Sequence, residues 1–408
     1  MNRTQSSRAI GEGNDEQRPD AVTNKDASLP SRSKGTEPRP LQLLAPARDA
    51  DTAIVAIDNG ADAVYMGAPS HGARAAAANS IDDIRRACQY AHRYDARIYV
   101  TVNTIIYDDE LDDVHRMVWD LYRAGIDALI VQDMSLLRMD LPPIALHAST
   151  QCDIRTPQKA RFLAQAGFGQ IVLPRESSLD DIRRYAREVP RDTTLEAFVH
   201  GALCVCYSGD CRASLVAGGR SANRGCCAQM CRLPYDLVDA DGNVLMRERH
   251  LLSLRDLNRM GDLAAMADAG ISSFKIEGRL KSASYVANVT AAYSQALDAV
   301  IAASDGRYRR ASAGTSVPAF NPDVSRAFNR GFTRYFINDT MPGKGETASW
   351  DTPKFIGVPV ARVIGGRGPG IRVHADTDLT NGDGLGYFDD NHEYRGFRVN
   401  RVSADLST

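Results

Sequence analysis

A short pattern recurs along the chain: a glycine is followed at once by a run of apolar residues. It occurs in NGADAVYMG from Asn59, AGIDALIVQ from Ala124, AGFGQIVLP from Ala166 and AGISSFKIE from Ala269. Each glycine stands where a helix would end in a left-handed cap, and each apolar run has the length of a short buried strand. The pattern therefore predicts a chain built from repeated helix–strand units.

Other apolar runs complete the series: LQLLAPA from Leu41, RIYVTVN from Arg97, PIALHAS from Pro143 and LEAFVH from Leu195. Amphipathic segments separate the runs, and those at Ser80 and Ser178 open with a serine N-cap candidate and aspartate in the first turn. Eight strands alternating with helices predict an α/β protein, a (β/α)8 TIM-like barrel. A doubly wound sheet is the alternative.

The rest of the chain divides by composition. Residues 1–40 contain almost no large aliphatic or aromatic residue, which predicts a disordered tail. We assign residues 41–345 to the barrel, with a cysteine-rich insertion at 201–235 between strands seven and eight. From about Lys354, apolar residues alternate between Gly and Asn turns, which predicts a small β domain over 346–408. The chain ends soon afterwards, and we expect that domain to be truncated.

Charge and apolar content limit the partners. The net charge of −2 predicts no general attraction to nucleic acid or anionic membranes, so contact with RNA would need local basic patches. No apolar run approaches the length of a membrane span, and the N-terminus lacks the pattern of a secretory signal. We therefore expect a cytoplasmic protein without a membrane partner. In that compartment clustered cysteines serve as metal ligands or catalytic thiols rather than disulfides.

The stretch GALCVCYSGDCRASLVAGGRSANRGCCAQMCRLPY, from Gly201, holds six of the eight cysteines. A structural zinc site typically uses two tight cysteine pairs, and only Cys227 and Cys231 have that spacing. An iron–sulfur cluster accepts looser spacing because its iron corners take ligands from different directions. The residues favour an iron–sulfur cluster over zinc. A Cys204 nucleophile with His200 as its base ranks third.

Polar residues mark the carboxyl ends of the predicted strands, where barrel enzymes place their chemistry. The candidates at these ends are His147, Arg175, Glu196, His200, Lys275, Glu277 and Arg279. Glu196, His200 and Glu277 are the candidates for proton transfer. The other four are candidates for substrate binding, and Lys275 and Arg279 have the charge to bind a dianion. For any single one, a structural ion-pair ring is the alternative.

The segment EAFVHGALCVCYSGDC resembles the signature of the collagenase-like peptidase family, E-x-F-x-H-G-[SA]-x-C followed by Y-S-G-x-C. Agreement extends over most of Leu41 to about Ile337. It includes LLAPA at Leu43, GADAVYMG at Gly60, ANRGCCAQMCRLPY at Ala222, KIEGRLKSASYV at Lys275 and NRGFT at Asn329. HLLSLRDLNRM and GGRSANRG are most similar to the branch that hydroxylates ribosomal RNA.

The resemblance implies an enzyme that adds a hydroxyl group to a pyrimidine of ribosomal or transfer RNA, or to a quinone precursor. It also implies a [4Fe–4S] cluster, whose ligands here would be Cys204, Cys211, Cys227 and Cys231. Prephenate is the implied co-substrate, a dianion suited to Lys275 and Arg279. Cys206 and Cys226 depart from the family pattern, and register with the following AQMCR favours Cys227 over Cys226 as the ligand.

Three functions follow as hypotheses. The first is an RNA hydroxylase acting on a cytidine of 23S-type ribosomal RNA, favoured over transfer RNA, with an electron donor as partner. Arginines suited to phosphate contact and base stacking lie in and after the insertion: Arg212, Arg220, Arg224, Arg232, Arg247, Arg249 and Arg255. The second is a collagenase-like peptidase, although H-E-x-x-H and G-x-S-x-G motifs are missing from the sequence. The third is a non-catalytic, zinc-stabilised binding protein.

Overall fold

The computed structural model describes residues 37–73, 77–338, 347–366, 370–390 and 393–403. Eight parallel strands form a closed barrel: β1 (Arg39–Pro46), β2 (Ala63–Gly67), β3 (Arg97–Val102), β4 (Ala128–Val131), β5 (Ala145–Ala148), β6 (Gln170–Val172), β7 (Thr194–Gly201) and β11 (Ser273–Ile276). Consecutive strands pair from β1 to β7, and β11 pairs with both β7 and β1, which closes the sheet. The predicted (β/α)8 barrel is confirmed, and the doubly wound alternative is wrong.

Helices cover the outside of the barrel: α1 (Ala50–Asp58), α2 (Ile81–Ala91), α3 (Leu111–Ala124), α4 (Pro157–Gln165), α5 (Leu179–Glu188), α7 (Leu263–Ala269) and α8 (Ala283–Ala302). Ser80 and Ser178 cap α2 and α5 as the sequence predicts, each accepting from the backbone N–H three residues on. The inward faces of these helices and the outward strand residues share one apolar core. In the part of the chain that the structure describes, no helix is both long and apolar enough to cross a membrane.

The glycines of the repeated pattern end helices or turns in backbone conformations that other residues rarely adopt. Gly125, Gly167 and Gly270 have φ of +96°, +112° and +125°. At Gly60, with φ +94°, a side chain would also collide with Ser294, whose Oγ lies 2.2 Å from the position of a Cβ. This is why the glycine pattern predicts the helix–strand units correctly.

The insertion after β7 is longer than the predicted 201–235. It contains α6 (Ala213–Gly218) and an antiparallel hairpin of β8 (Tyr235–Val238) and β9 (Val244–Arg249). The chain then returns through β10 (Asp256–Asn258), which pairs antiparallel with the end of β7. Two later strands join the main sheet: β12 (Tyr308–Arg310) beside β1 and β13 (Phe332–Thr333) beside β10. Strand β10 thus anchors the end of the insertion against the barrel.

The C-terminal region forms two separate antiparallel hairpins, β14 (Ala361–Gly365) with β15 (Arg372–Ala375) and β16 (Gly384–Phe388) with β17 (Tyr394–Arg398). Its predicted β structure is therefore present. At the other end β1 begins at Arg39, so the barrel starts two residues before the predicted boundary. Residues 1–36 of the predicted tail lie outside the described residues.

Candidate active site

The carboxyl ends of the barrel strands bring three of the predicted residues, Arg175, Glu277 and Arg279, around two aromatic rings. We call the group formed by Tyr65, Arg175, Phe198, Glu277 and Arg279 the barrel mouth. The guanidinium of Arg175 lies 3.8 Å from the centre of the Phe198 ring and donates to Glu277 Oε2 at 3.2 Å. Arg279 donates to Thr101 Oγ1 at 2.6 Å and lies 5.7 Å from the Tyr65 ring. Burial raises the pKa of the Tyr65 phenol, and the Glu277 carboxylate raises it further. The mouth is thus charged and aromatic.

Lys275 and Glu196 form a buried ion pair next to these two rings. The Lys275 ammonium donates to Glu196 Oε1 at 2.7 Å, and the two side chains are 5% and 0% exposed. The same ammonium lies 4.5 Å from the Tyr65 ring and 5.3 Å from the Phe198 ring. Glu196 also hydrogen-bonds with Gln170 and contacts Ser273. The structure therefore joins a predicted proton-transfer residue and a predicted binding residue in one pair.

The two predicted histidines lie apart from the barrel mouth group. His147 packs edge-on against Tyr99 inside the barrel, whereas His200 packs against Tyr293 and Phe332 at ring distances of 5.3 and 5.6 Å. Burial lowers the pKa of each to about 3, so both are neutral at physiological pH. Neither ring of His147 or His200 has a hydrogen-bond partner within the described ranges. Proton transfer by His200 stays a prediction, because no reacting group contacts it here.

The depressed pKa of His200 makes stability depend on pH. The unfolded chain binds a proton near pH 6.5 and the folded chain near 3, so stability is lost as pH falls below 6.5. We expect His200 to account for about 2 kcal/mol of the loss between pH 7 and 5. A phenylalanine at position 200 suits the aromatic surroundings. Between pH 7 and pH 5, His200→Phe should therefore lose about 2 kcal/mol less unfolding free energy than the wild type, as measured by urea unfolding. His374→Phe, on the exposed strand β15, is the control. An unchanged loss in His200→Phe would refute the assignment.

One arginine of the insertion makes a bidentate contact with the barrel side. Arg224 donates to both carboxylate oxygens of Glu110, at 2.6 and 2.7 Å, and lies 4.2 Å from the centre of the Tyr107 ring. These hydrogen bonds lower the pKa of Glu110 to about 2. The contact is therefore complete at neutral pH and weakens only as pH falls from about 4.5, the ordinary glutamate value, toward 2. We call this contact the Arg224 latch.

We expect Arg224→Ala to loosen the insertion without unfolding the barrel. Loss of the charged hydrogen bonds should cost about 2 kcal/mol locally, roughly a 30-fold rise in the open fraction. Hydrogen exchange of peptides from 202–232 reports this opening. Arg212→Ala, at a side chain that is 77% exposed in the same insertion, should change little. Equal exchange in both variants would show that the latch does not hold the insertion.

Other insertion arginines also serve the fold. Arg232 donates to the Leu203 and Leu254 carbonyls and to Ser253 Oγ, at 2.7 to 2.9 Å. Arg220 donates to the Cys226 and Cys227 carbonyls, which closes the turn that carries those cysteines. The sequence makes the seven arginines candidates for RNA contact, with solvated loop surface as the alternative for each one. For Arg220, Arg224 and Arg232 the structure shows contacts within the protein.

The four predicted cluster ligands all lie in this insertion. Cys204, Cys211, Cys227 and Cys231 are half-buried, whereas Cys226 is exposed. Burial raises the pKa of Cys231, Arg232 lowers it, and the thiols of Cys204, Cys227 and Cys211 raise it, which places all three within electrostatic reach of Cys231. The backbone N–H of Gln229 donates to Cys227 Sγ at 3.3 Å. An amide donor of this kind is typical of a metal-bound sulfur.

The structure leaves both predicted types of metal site, a cluster and a zinc ion, open. In the described part of the chain no three His, Cys, Asp or Glu side chains are gathered as ligands of a single ion. Tetrahedral zinc requires its sulfurs to lie roughly 3.8 Å apart. The separate iron corners of a cluster would take thiols from different parts of one wrapping segment. Turns at Gly209, Gly219 and Gly225, all with positive φ, allow this wrapping.

The motifs, the barrel and the cysteine insertion agree with a known family. A family model described as peptidase family U32 matches residues 48–346. The chain belongs to peptidase family U32. This confirms the family resemblance inferred from the segment that begins at Glu196.

Some curated relatives are named for RNA hydroxylation, and others are named as collagenases. The chain is 52% identical over 362 residues to the 23S rRNA 5-hydroxycytidine C2501 synthase of Escherichia coli, covering 89% of this chain and 54% of that protein. It is 35% identical over 292 residues to the tRNA hydroxylation protein P1 of Bacillus subtilis, covering 69% and 68%. It is 31% identical over 305 residues to a collagenase of Porphyromonas gingivalis, covering 71% and 72%. The chain spans about half the length of the first of these relatives.

Proposed function

We propose that this U32 protein is an RNA hydroxylase that adds a hydroxyl group to a cytidine of 23S-type ribosomal RNA. The observation that carries the proposal is the 52% identity to a 23S rRNA 5-hydroxycytidine synthase over 89% of the chain. Ribosomal RNA is favoured over transfer RNA because the tRNA hydroxylation relative is only 35% identical. The proposal includes a cytoplasmic location, because the proposed RNA substrate is found there.

The proposed cofactor is a [4Fe–4S] cluster held by Cys204, Cys211, Cys227 and Cys231. The Gln229 N–H donor at Cys227 supports the inclusion of Cys227. The exposure of Cys226 supports its exclusion. Such a cluster supplies electron transfer, and an electron donor is its expected partner. Zinc in the same insertion is the alternative cofactor.

The barrel mouth is the proposed place for the reacting base and for prephenate. In this proposal the target base leaves its stack and enters beside Arg175 and Arg279, a step that is needed for chemistry on a paired nucleotide. The guanidinium groups of Arg175 and Arg279 are suited to bind the carboxylates of a dianion. Lys275 lies against the same two aromatic rings of the barrel mouth. Glu277 is the proposed proton acceptor because it lies in the mouth, 3.2 Å from Arg175.

A peptidase is the second candidate, since two relatives are named collagenases. A cysteine peptidase would need a hydrogen-bonded pair such as Cys204 with His200. Neither His200 ring nitrogen has a hydrogen-bond partner among the described residues, and the ring is enclosed by aromatic side chains. The geometry at His200 therefore favours the hydroxylase.

Complementation tests the substrate. We would express the chain in a bacterium that lacks its own 23S rRNA cytidine hydroxylase and digest purified 23S and transfer RNA to nucleosides for mass spectrometry. The proposal expects 5-hydroxycytidine to return in 23S RNA. Hydroxylated uridine in transfer RNA would move the chain to the other substrate. Collagen-peptide cleavage by the purified protein, without any RNA product, would favour the peptidase.

A further inference from the structure

The loop after the last barrel strand carries a lysine whose ammonium has no acceptor. Lys281 is half-buried, and its ammonium makes no hydrogen bond or ion pair within the described ranges. It lies against aromatic rings instead, 3.1 Å from the centre of Phe328 and 5.7 Å from that of Tyr285. Leu280 is 49% exposed and residues 282–284 are exposed, so this loop is open to solvent. An ammonium has three donors, and those of Lys281 can therefore bind a group that arrives from solvent.

Two arginines lie close to this lysine. Arg330 lies over the same Phe328 ring at 4.9 Å, and the charges of Arg330 and Arg232 both act on Lys281. The three cations share the carboxylate of Asp256, which accepts from Arg330 at 2.8 Å. Burial raises the pKa of Asp256, and the charges of all three cations oppose that rise. One carboxylate within reach of three cations leaves the group suited to a further anion.

The ionisation of Lys281 reflects the same excess of positive charge. Burial and the Arg330 charge lower the pKa of Lys281 to about 8, although Asp256 and Glu277 act in the opposite direction. Glu277 itself forms an ion pair with Arg175 at 3.2 Å. An anion beside the ammonium would raise its pKa again, because an opposite charge favours the charged form.

The position of Lys281 in the barrel favours phosphate as that anion. Strand β11 is the eighth barrel strand, and Lys281 follows it in the same loop as Glu277 and Arg279 of the barrel mouth. Barrel enzymes frequently bind phosphate in the loops after their seventh and eighth strands. The loop after the seventh strand is here the insertion, which contributes Arg232. A phosphate at Lys281 would thus lie next to both loops.

We infer that Lys281 and Arg330 bind a backbone phosphate of the RNA strand whose base enters the barrel mouth. The inference rests on the proposed function, because it takes RNA as the substrate, and it adds a contact outside the mouth. A lysine suits this contact because it binds phosphate as a point charge. Phosphate contacts fix the position of a strand but carry no sequence information. Lys281 therefore positions the strand, whereas the mouth receives the base.

The pKa of Lys281 provides the test. The full-length protein is labelled with trace acetic anhydride between about pH 6 and pH 10, and peptide mass spectrometry follows the reactivity of each lysine. The labelling is done without a ligand, with a short single-stranded RNA that contains cytidine, and with inorganic phosphate. We expect RNA to raise the pKa of Lys281 from about 8 to about 9, equal to a roughly tenfold preference of RNA for the charged lysine. The reactivity of Lys159, on helix α4, should not change.

RNA binding by variants provides a second measurement. By fluorescence anisotropy, Lys281→Gln should bind the RNA about 10-fold more weakly, and its plot of log affinity against log salt should be less steep by about 0.7. Lys281→Arg keeps the charge and should retain most of the affinity. Lys159→Gln removes the same charge from an outer helix and is the matched control, which should change neither quantity.

Three results would overturn the inference. They are an unchanged pKa of Lys281 with RNA bound, a rise with inorganic phosphate but not with RNA, and no RNA binding by the wild type. Complementation tests the proposed function separately. 5-Hydroxycytidine can return in 23S RNA while Lys281 fails to respond, and Lys281 can respond to RNA in a protein that returns no 5-hydroxycytidine.

Discussion

Cys227→Ser is expected to remove the cluster, whereas Cys226→Ser is expected to retain it. The two cysteines are adjacent, but the Cys226 thiol is exposed while that of Cys227 is half-buried and accepts the Gln229 N–H. Loss of one thiolate leaves an iron corner without its protein ligand. Iron should therefore fall from about four to less than one per chain in Cys227→Ser only.

The measurement is iron and sulfide content after anaerobic purification, together with 5-hydroxycytidine in 23S RNA from complemented cells. Because both variants change one thiol to a hydroxyl at neighbouring positions, folding effects are matched. A reversed result would assign Cys226 as the ligand. Full iron in both variants would remove this pair from the ligand set.

Lys275→Met is expected to lower the free energy of unfolding by about 3–5 kcal/mol. The substitution leaves the Glu196 carboxylate fully buried with its charge uncompensated. A double variant with Glu196→Gln also removes that charge, while the amide can still hydrogen-bond with Ser273. We therefore expect the double variant to be more stable than Lys275→Met alone.

Urea unfolding of the wild type, both single variants and the double variant provides the coupling energy between the two side chains. A loss below about 1 kcal/mol in Lys275→Met would show that water compensates Glu196 and that the pair is not dry. Lys275→Arg keeps a cation and is the matched control for volume and packing.

The barrel is predictable from sequence because its signals are local. Each glycine cap and each apolar run is read within about ten residues, and Gly125, Gly167 and Gly270 have the positive φ that the pattern requires. The hairpin of β8 and β9 was not predicted. Its strands are largely exposed, so they lack the apolar alternation of a half-buried strand.

The candidate site was only partly predictable, since it depends on register between distant strands. Ser273 of β11 aligns with Glu196 of β7, which brings Lys275 next to that carboxylate. No local pattern shows this pairing, so the sequence suggests separate roles for Glu196 and Lys275. Tyr65 and Phe198 were missed because aromatic residues in strands usually indicate core. Their signal would have been their inward-facing positions on β2 and β7.

His200 illustrates a different limit. It stands at the end of a strand, where the sequence rule places catalytic groups, yet its ring packs against Tyr293 and Phe332. The register between β7 and β11 shifts at Lys275 and Ile276, next to this residue. A bulge of this kind redirects side chains and cannot be read from one sequence.

We propose above all that the cysteine insertion holds an iron–sulfur cluster. This proposal is tested most directly by anaerobic purification of the wild-type protein with an optical spectrum and assays for iron, sulfide and zinc. We expect a brown protein with about four irons and four sulfides per chain. A colourless protein with one tightly bound zinc per chain would contradict the claim and make the insertion a structural zinc module.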